Sequence, residues 1–117
     1  MTDQVRAAHL LIKHTGSRNP VSRRTGERVH LDPADARVEL ESLHRAIVSH
    51  PNSLHSFPSF AKERSDCSSF RQDGDLGMFG RGMMQESFER AAFSLNVGEM
   101  SGIVESDSGF HLIYRIA

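Results

Sequence analysis

The sequence predicts an α+β fold, a small and mostly antiparallel four-stranded sheet packed against three to four helices. Three observations carry this. An apolar stretch at residues 5–14 has the length and density of a buried strand, and an alternating stretch closes the chain at 110–116. Helix-period segments and a glycine-rich turn region lie between them, so the order is strand, helices, strands. The 117 residues, 38% hydrophobic and 25% charged, suit one domain, taken as residues 1–117. At that length the folded surface should be about 6,400 Å², with about two thirds of the unfolded chain's surface buried.

Each element has its own justification. In Val5-Arg-Ala-Ala-His-Leu-Leu-Ile-Lys-His14, the residues Val5, Ala7, His9, Leu11 and Lys13 share one face by the period of two. Residues 15–31 are polar and basic, with Gly16, Pro20 and Gly26, and read as a long loop. Asp32-Pro33 starts a helix, Asp as N-cap and Pro at the first helical position. Ala36, Leu40, Leu43 and Ile47 then fall on one face through Ser49. A second helix fits 57–64, with Ser56 as its cap and Pro58 tolerated in the first turn. Residues 65–83, with Gly74, Gly77, Gly80 and Gly82, hold no long regular element, although a strand is expected around 74–79. A third helix fits 85–94, with Met84, Phe88, Ala91 and Leu95 as its apolar stripe. Val97-Gly98 turns, residues 102–105 form a short strand, and Ser106-Asp-Ser-Gly109 turns into the last strand.

Composition excludes several functions. One cysteine, Cys67, forms no intramolecular disulfide and no thiolate zinc finger. No apolar run approaches the ~18 residues of a membrane span, and the N-terminus has no signal-peptide pattern. A net charge of −1 predicts no general attraction to nucleic acid or membrane. The distribution is uneven, however. Lys13, Arg18, Arg23, Arg24 and Arg28 stand against the single acid Glu27 within residues 13–28. That segment is either a solvated surface or an anion site, since the arginine fork suits phosphate.

Several side chains could carry chemistry. His9 lies inside an apolar strand, where a lone histidine is usually a satisfied core residue. His111 shares a face with Ile113 and Arg115, so if the first and last strands are neighbours two imidazoles can meet. Two histidines do not make a zinc site, and His14, His30, His44, His50 and His55 lack i, i+4 pairing, so no metal is expected. Cys67 reads as a nucleophile or as a small, partly buried residue. Leu76, Met84 and Phe88 read as core or as an apolar cup beside a cleft that glycine backbone can approach.

Six strings in order raise the specificity: His9–His14, Ser65–Ser69, Gly74–Gly82, Met84–Leu95, Val97–Gly102 and Asp107–Ile113. Together they resemble the parvulin family of peptidyl-prolyl cis-trans isomerases over almost the whole chain. The resemblance implies the parvulin-like variant of the FKBP-like superfold, and is nearest to the phospho-directed (Pin-type) eukaryotic subclass. It implies a stand-alone catalytic domain, since the tryptophan-bearing WW module is absent. It implies that His9 and His111 form a histidine pair on the floor of an active site, that Ser106 hydrogen-bonds into that pair, and that Cys67 is the central thiol. Leu76, Met84 and Phe88 correspond to a proline pocket, and Gln85 and Ser108 to polar residues lining the cleft. Lys13 and Arg18 match two basic positions of a loop that reads phosphoserine or phosphothreonine before proline. Asn19 stands where the human-type loop has a second arginine, and an amide brings no charge. Arg23 and Arg24 are the nearby cations that could compensate.

The implied function is isomerisation of phosphoSer/Thr-Pro bonds by noncovalent stabilisation of the twisted amide, without a cofactor. The implied partners are proteins or peptides carrying that motif, with no nucleic acid and no membrane. Family precedent implies a monomer in the cytoplasm and nucleus. Two other functions stay open: an isomerase with weak phosphate preference, and a non-catalytic phosphopeptide-binding module. A covalent thiol adduct is the alternative mechanism.

Overall fold

The first strand organises everything else. A computed structural model of the chain describes residues 3–51 and 53–117. Strand β1, Gln4–Ile12, is buried on both faces, as its near-continuous apolar run requires. It lies centrally in a four-stranded sheet of order β2-β1-β4-β3, where β2 is Asp75–Gly80, β3 is Val104–Ser106 and β4 is Gly109–Arg115. All three pairings are antiparallel.

Period-two alternation along β1 divides the core in two. Ala8, Leu10 and Ile12 pack with Leu112 against Ala36, Leu40 and Ile47 of helix α1 (Pro33–Ser49) and Phe57 and Ala61 of helix α2 (Phe57–Arg64). Val5 and Ala7 pack with Ile113 and Phe79 against Phe88 and Ala92 of helix α3 (Glu86–Ser94). The accessible surface is 6488 Å², in line with the scaling estimate. Among the described residues no helix is long and apolar enough to cross a membrane.

The helix signals at 33–49 act as written. Asp32 is extended and its carboxylate accepts the N–H of Asp35 at 2.8 Å, with Pro33 beginning the helix. Ser56 is different. It ends a 3₁₀ turn, Ser53–Ser56, already in helical conformation, so its side chain makes no cap on α2. A second 3₁₀ turn, Ser68–Gln72, follows α2, so the described residues hold three α-helices, within the expected three to four, and two short 3₁₀ turns.

β1 stops two residues earlier than its apolar run suggests. Its ladder with β4 ends at Ile12 opposite Phe110, and the next N–H groups turn to side chains: Lys13 to Asp66 Oδ2 at 2.9 Å, His14 to Ser17 Oγ at 3.0 Å. β3 lies later than expected, because Ser106 pairs with Gly109 and only Asp107-Ser108 makes the turn. Gln85 caps α3 instead of entering it, which frees its side chain for the cleft.

Two glycines hold neighbouring backbone against β1. Gly74 has φ +86°, and a Cβ there would lie 2.4 Å from the carbonyl oxygen of His9. That approach lets His9 N–H donate to Gly74 O at 2.9 Å. Gly109 has φ +141°, and a Cβ there would lie 2.5 Å from the carbonyl oxygen of Ile12. Both strand neighbours of the site residues thus depend on missing side chains.

Candidate active site

The antiparallel register of β1 and β4 sets His9 opposite Ile113 and Leu11 opposite His111. His9 and His111 are therefore diagonal neighbours on one face, within reach of each other. Their rings stack with centroids 5.2 Å apart and Nδ1 atoms 3.0 Å apart. Phe88 of α3 sets its ring edgewise to both, at 5.4 and 5.1 Å. Both histidines are buried, so the pair is neither a lone core residue nor a surface group.

A contact between two Nδ1 atoms requires one ring to donate and the other to accept. Burial first, and then the proximity of His9, push the pKa of His111 well below the ordinary histidine value, so His111 is neutral. Ser106 Oγ lies 2.6 Å from His111 Nε2 and accepts the N–H of Ser108 at 3.1 Å. The serine oxygen has a second lone pair and one hydrogen, so it can take or give the proton at His111 Nε2, and the tautomer of the pair decides which Nδ1 donates. His9 Nε2 is buried and without a hydrogen bond of full geometry.

Cys67 follows directly on Ser65-Asp66, a segment held to the end of β1. Leu11 N–H donates to Ser65 Oγ at 3.0 Å, and Asp66 N–H donates to Leu11 O at 2.8 Å. Burial pushes the thiol pKa up, but contact with His9 and the charge there, together with Ser69, outweigh it and bring it down to about 6. A thiol with its pKa lowered on folding contributes stability above its ordinary range, and that stability is lost as pH falls through about 6. Alkylation of Cys67 by iodoacetamide should accordingly rise through a midpoint near pH 6 and level off by neutral pH. A midpoint near the free-thiol value of about 8.5 would show that His9 does not set its ionisation.

The pair and the thiol line a cleft of about 260 Å³ with Leu76, Met83, Met84, Gln85, Phe88, Ser106, Ser108 and Arg18. Leu76 comes from β2 and Phe88 from α3, with Met84 on the connection between them. The structure thus brings the expected apolar cup and histidine floor together. Gln85 ties the cleft to the β3–β4 turn: its Nε2 donates to Ser108 Oγ at 2.8 Å and its Oε1 accepts Asp107 N–H at 2.9 Å. Met83, two thirds exposed, is a cleft residue that sequence reasoning passed over, although it directly precedes Met84.

A second cavity of about 200 Å³ adjoins the first, sharing Arg18, Cys67 and Ser108 with it. It is lined further by Leu11, Lys13, Asn19, Arg23 and Ser68. Lys13 is buried and its Nζ donates to Val21 O at 2.7 Å. Burial, then Arg23, lower its pKa against the opposing pull of Asp66 and Cys67. Arg24 turns the other way, lining a separate cavity beside Glu39, Arg64 and Asp66.

The basic loop is held in place by Asp66, which sequence reasoning missed. Asp66 is 2% exposed. Oδ2 accepts Lys13 N–H at 2.9 Å, and Oδ1 accepts Ser22 Oγ at 2.7 Å and Arg64 Nη1 at 3.0 Å. Its carbonyl accepts Arg23 N–H at 2.9 Å, and Arg18 N–H donates to Asp107 O at 2.7 Å. Among the described residues no group of three or more His, Cys, Asp and Glu side chains is placed to hold a metal ion.

A family model, "Rotamase: PPIC-type PPIASE domain", matches residues 9–117. The chain is 50% identical over 115 residues to the peptidyl-prolyl cis-trans isomerase NIMA-interacting 1 of Theileria annulata, covering 98% of this chain and 81% of that one. It is 52% identical over 113 residues to the peptidyl-prolyl cis-trans isomerase ESS1 of Saccharomyces cerevisiae, covering 97% of this chain and 65% of that one. Among solved structures, that of TbPIN1 superposes with a TM-score of 0.87 at 47% identity, each chain covered completely. ESS1 from Candida albicans also gives 0.87, at 36% identity, with all of this chain and 66% of that one covered.

Proposed function

The chain belongs to the PPIC-type rotamase family as a Pin1/ESS1-type peptidyl-prolyl cis-trans isomerase, and on that premise we propose that it acts on phosphoSer-Pro and phosphoThr-Pro bonds by a noncovalent mechanism. One observation carries this reading: a cavity walled by Lys13, Arg18 and Arg23 opens into the apolar cleft through residues common to both. A phosphate in the first and a prolyl ring in the second would belong to consecutive residues of one peptide.

The chemistry needs no bond to break. The X–Pro barrier is roughly 18–20 kcal/mol, against a trans preference of only about 0.5–1 kcal/mol. In the twisted transition state amide resonance is lost, the prolyl nitrogen is more basic and the carbonyl less polarised. A site accelerates rotation by fitting that geometry better than either planar isomer. Leu76, Met84 and Phe88 grip the ring and keep water from it. Lys13 and Arg18 fix the preceding phosphate, so that rotation takes place about the bond instead of by turning of the whole peptide. His9, His111, Ser106 and Cys67 form the polar floor and set the field at the rotating carbonyl, with Gln85 and Ser108 holding the cleft wall to the β3–β4 turn.

Cys67→Ser puts a hydroxyl of similar shape in place of the thiol and removes the thiolate. On the noncovalent mechanism the variant retains measurable isomerase activity, reduced by about a hundred- to a thousandfold at most, the size expected of one electrostatic contact in a closed site. Complete loss with phosphopeptide affinity intact would support the covalent adduct.

Substrate selectivity tests the reading as a whole. The protease-coupled rate on a phosphoSer-Pro peptide should exceed that on its unphosphorylated Ser-Pro twin by more than about a hundredfold, as charge-assisted phosphate contacts of roughly 1.5–3 kcal/mol each require. Equal rates would favour the second reading, an isomerase with little phosphate preference, which Asn19 motivates.

A further inference from the structure

We propose that Arg23 is a specificity-determining residue of the phosphate site and supplies the guanidinium that Asn19 does not. The inference rests on the phospho-directed reading and goes beyond it by naming the residue that makes the site prefer a dianion.

The loop's own geometry places Arg23 there. Residues 21–28 close into a small hairpin: Val21 bridges Arg28, Ser22 N–H donates to Glu27 O at 3.0 Å, and Gly26 N–H donates to Ser22 O at 2.8 Å. Ser22 Oγ is bound to buried Asp66, and the backbone of Arg23 is bound to the carbonyl of the same residue. The hairpin is therefore fixed immediately beside Cys67. Its next two side chains diverge, Arg23 into the cavity with Lys13 and Asn19, Arg24 into the one on the far side.

Charge gives an independent argument. Among the described residues five arginines elsewhere find carboxylates: Arg6 pairs with Asp75, Arg37 with Glu41, Arg64 with Glu39 and Asp66, Arg81 with Asp3, and Arg90 with Glu86, whereas Arg24, Arg28, Arg45, Arg71 and Arg115 form no ion pair but lie apart from this cavity. Among the described residues the side chains of Lys13, Arg18 and Arg23 form no ion pair, yet they converge on one cavity. After burial, Arg23 is the largest influence lowering the pKa of Lys13, ahead of Arg18. Asp66 and Cys67 offset part of the repulsion at Lys13, but the three like charges still oppose one another, and a bound dianion relieves that repulsion. A monoanionic carboxylate relieves less of it, so the third cation bears on phosphate more than on glutamate.

The test compares wild type, Arg23→Ala, Arg24→Ala and the double variant Arg23→Ala with Asn19→Arg, on matched phosphoSer-Pro, Glu-Pro and Ala-Pro peptides. Arg23→Ala should lower kcat/KM for phosphoSer-Pro about tenfold, the equivalent of one charge-assisted contact, and lower that for Ala-Pro much less. Arg24→Ala should match wild type, and Asn19→Arg should restore most of the lost phosphopeptide rate. If Arg23→Ala loses nothing on phosphoSer-Pro while the wild type prefers it, the inference fails and the phospho-directed reading stands. Equal losses on all three peptides would mean a purely structural role and also overturn it. A wild type without preference for phosphoSer-Pro over Ala-Pro would overturn both.

Discussion

Replacing Lys13 by alanine lowers kcat/KM for a phosphoSer-Pro peptide about a hundredfold, because a buried ammonium facing phosphate is worth roughly 2–3 kcal/mol. The same change lowers the Ala-Pro rate only a few-fold. The asymmetry follows from position. Lys13 continues the face of β1 that carries His9 and Leu11, but lies past the end of the ladder, in the cavity beside the cleft and not in the apolar cup. Its stem is buried and its Nζ is anchored on Val21 O, so the charge is delivered at one point with little remaining freedom. Initial-rate measurements on the two peptides decide the matter. A matching loss on both would mean that Lys13 acts by supporting the loop instead of binding the substrate.

The second large effect concerns stability. Asp66→Ala should destabilise the fold by about 3–5 kcal/mol, the range for removing one partner of a buried charged pair. Three donors lose their acceptor at once: Lys13 N–H, the Ser22 hydroxyl and Arg64 Nη1. Arg64 is half-buried, and although burial works against its charge, Glu39 and Asp66 together hold its pKa above the ordinary arginine value. Without Asp66 that guanidinium keeps Glu39 alone. Urea unfolding measures the loss, and Asp66→Asn, which keeps the shape and one carbonyl acceptor, should fall between wild type and Asp66→Ala. A change under about 1 kcal/mol, the worth of an ordinary surface pair, would show that Asp66 is not the anchor of the loop.

How much of this was legible in the sequence depended on whether a signal was local. The Asp32-Pro33 helix start depends only on adjacent residues, and the structure reproduces it. The meeting of His9 and His111 needed one further condition, that the first and last strands pair, and the register supplies it. Ser56 failed as a cap because the preceding 3₁₀ turn, a feature without a sharp composition, had already set its conformation. The C-terminal limit of β1 was hidden for another reason. Lys13 and His14 continue the run but bond to the side chains of Asp66 and Ser17, partners that no periodicity encodes. Asp66 itself reads from sequence as one acid among fifteen, and only the folded loop shows its two oxygens shared between three donors. Likewise Arg23 and Arg24 are equivalent as letters. The hairpin at 21–28 separates them, placing Arg23 in the cavity with Lys13 and Arg24 in another.

The central claim is that one site both recognises the phosphate and turns the bond that follows it. NMR exchange spectroscopy on matched phosphoSer-Pro, Glu-Pro and Ala-Pro peptides, with catalytic amounts of the protein, measures the turning directly. The account predicts cis/trans exchange peaks on the phosphopeptide at short mixing times, weaker exchange on Glu-Pro, and little on Ala-Pro. Phosphopeptide binding without exchange would make the chain a recognition module, and equal exchange on all three peptides would leave the basic cavity without its proposed role.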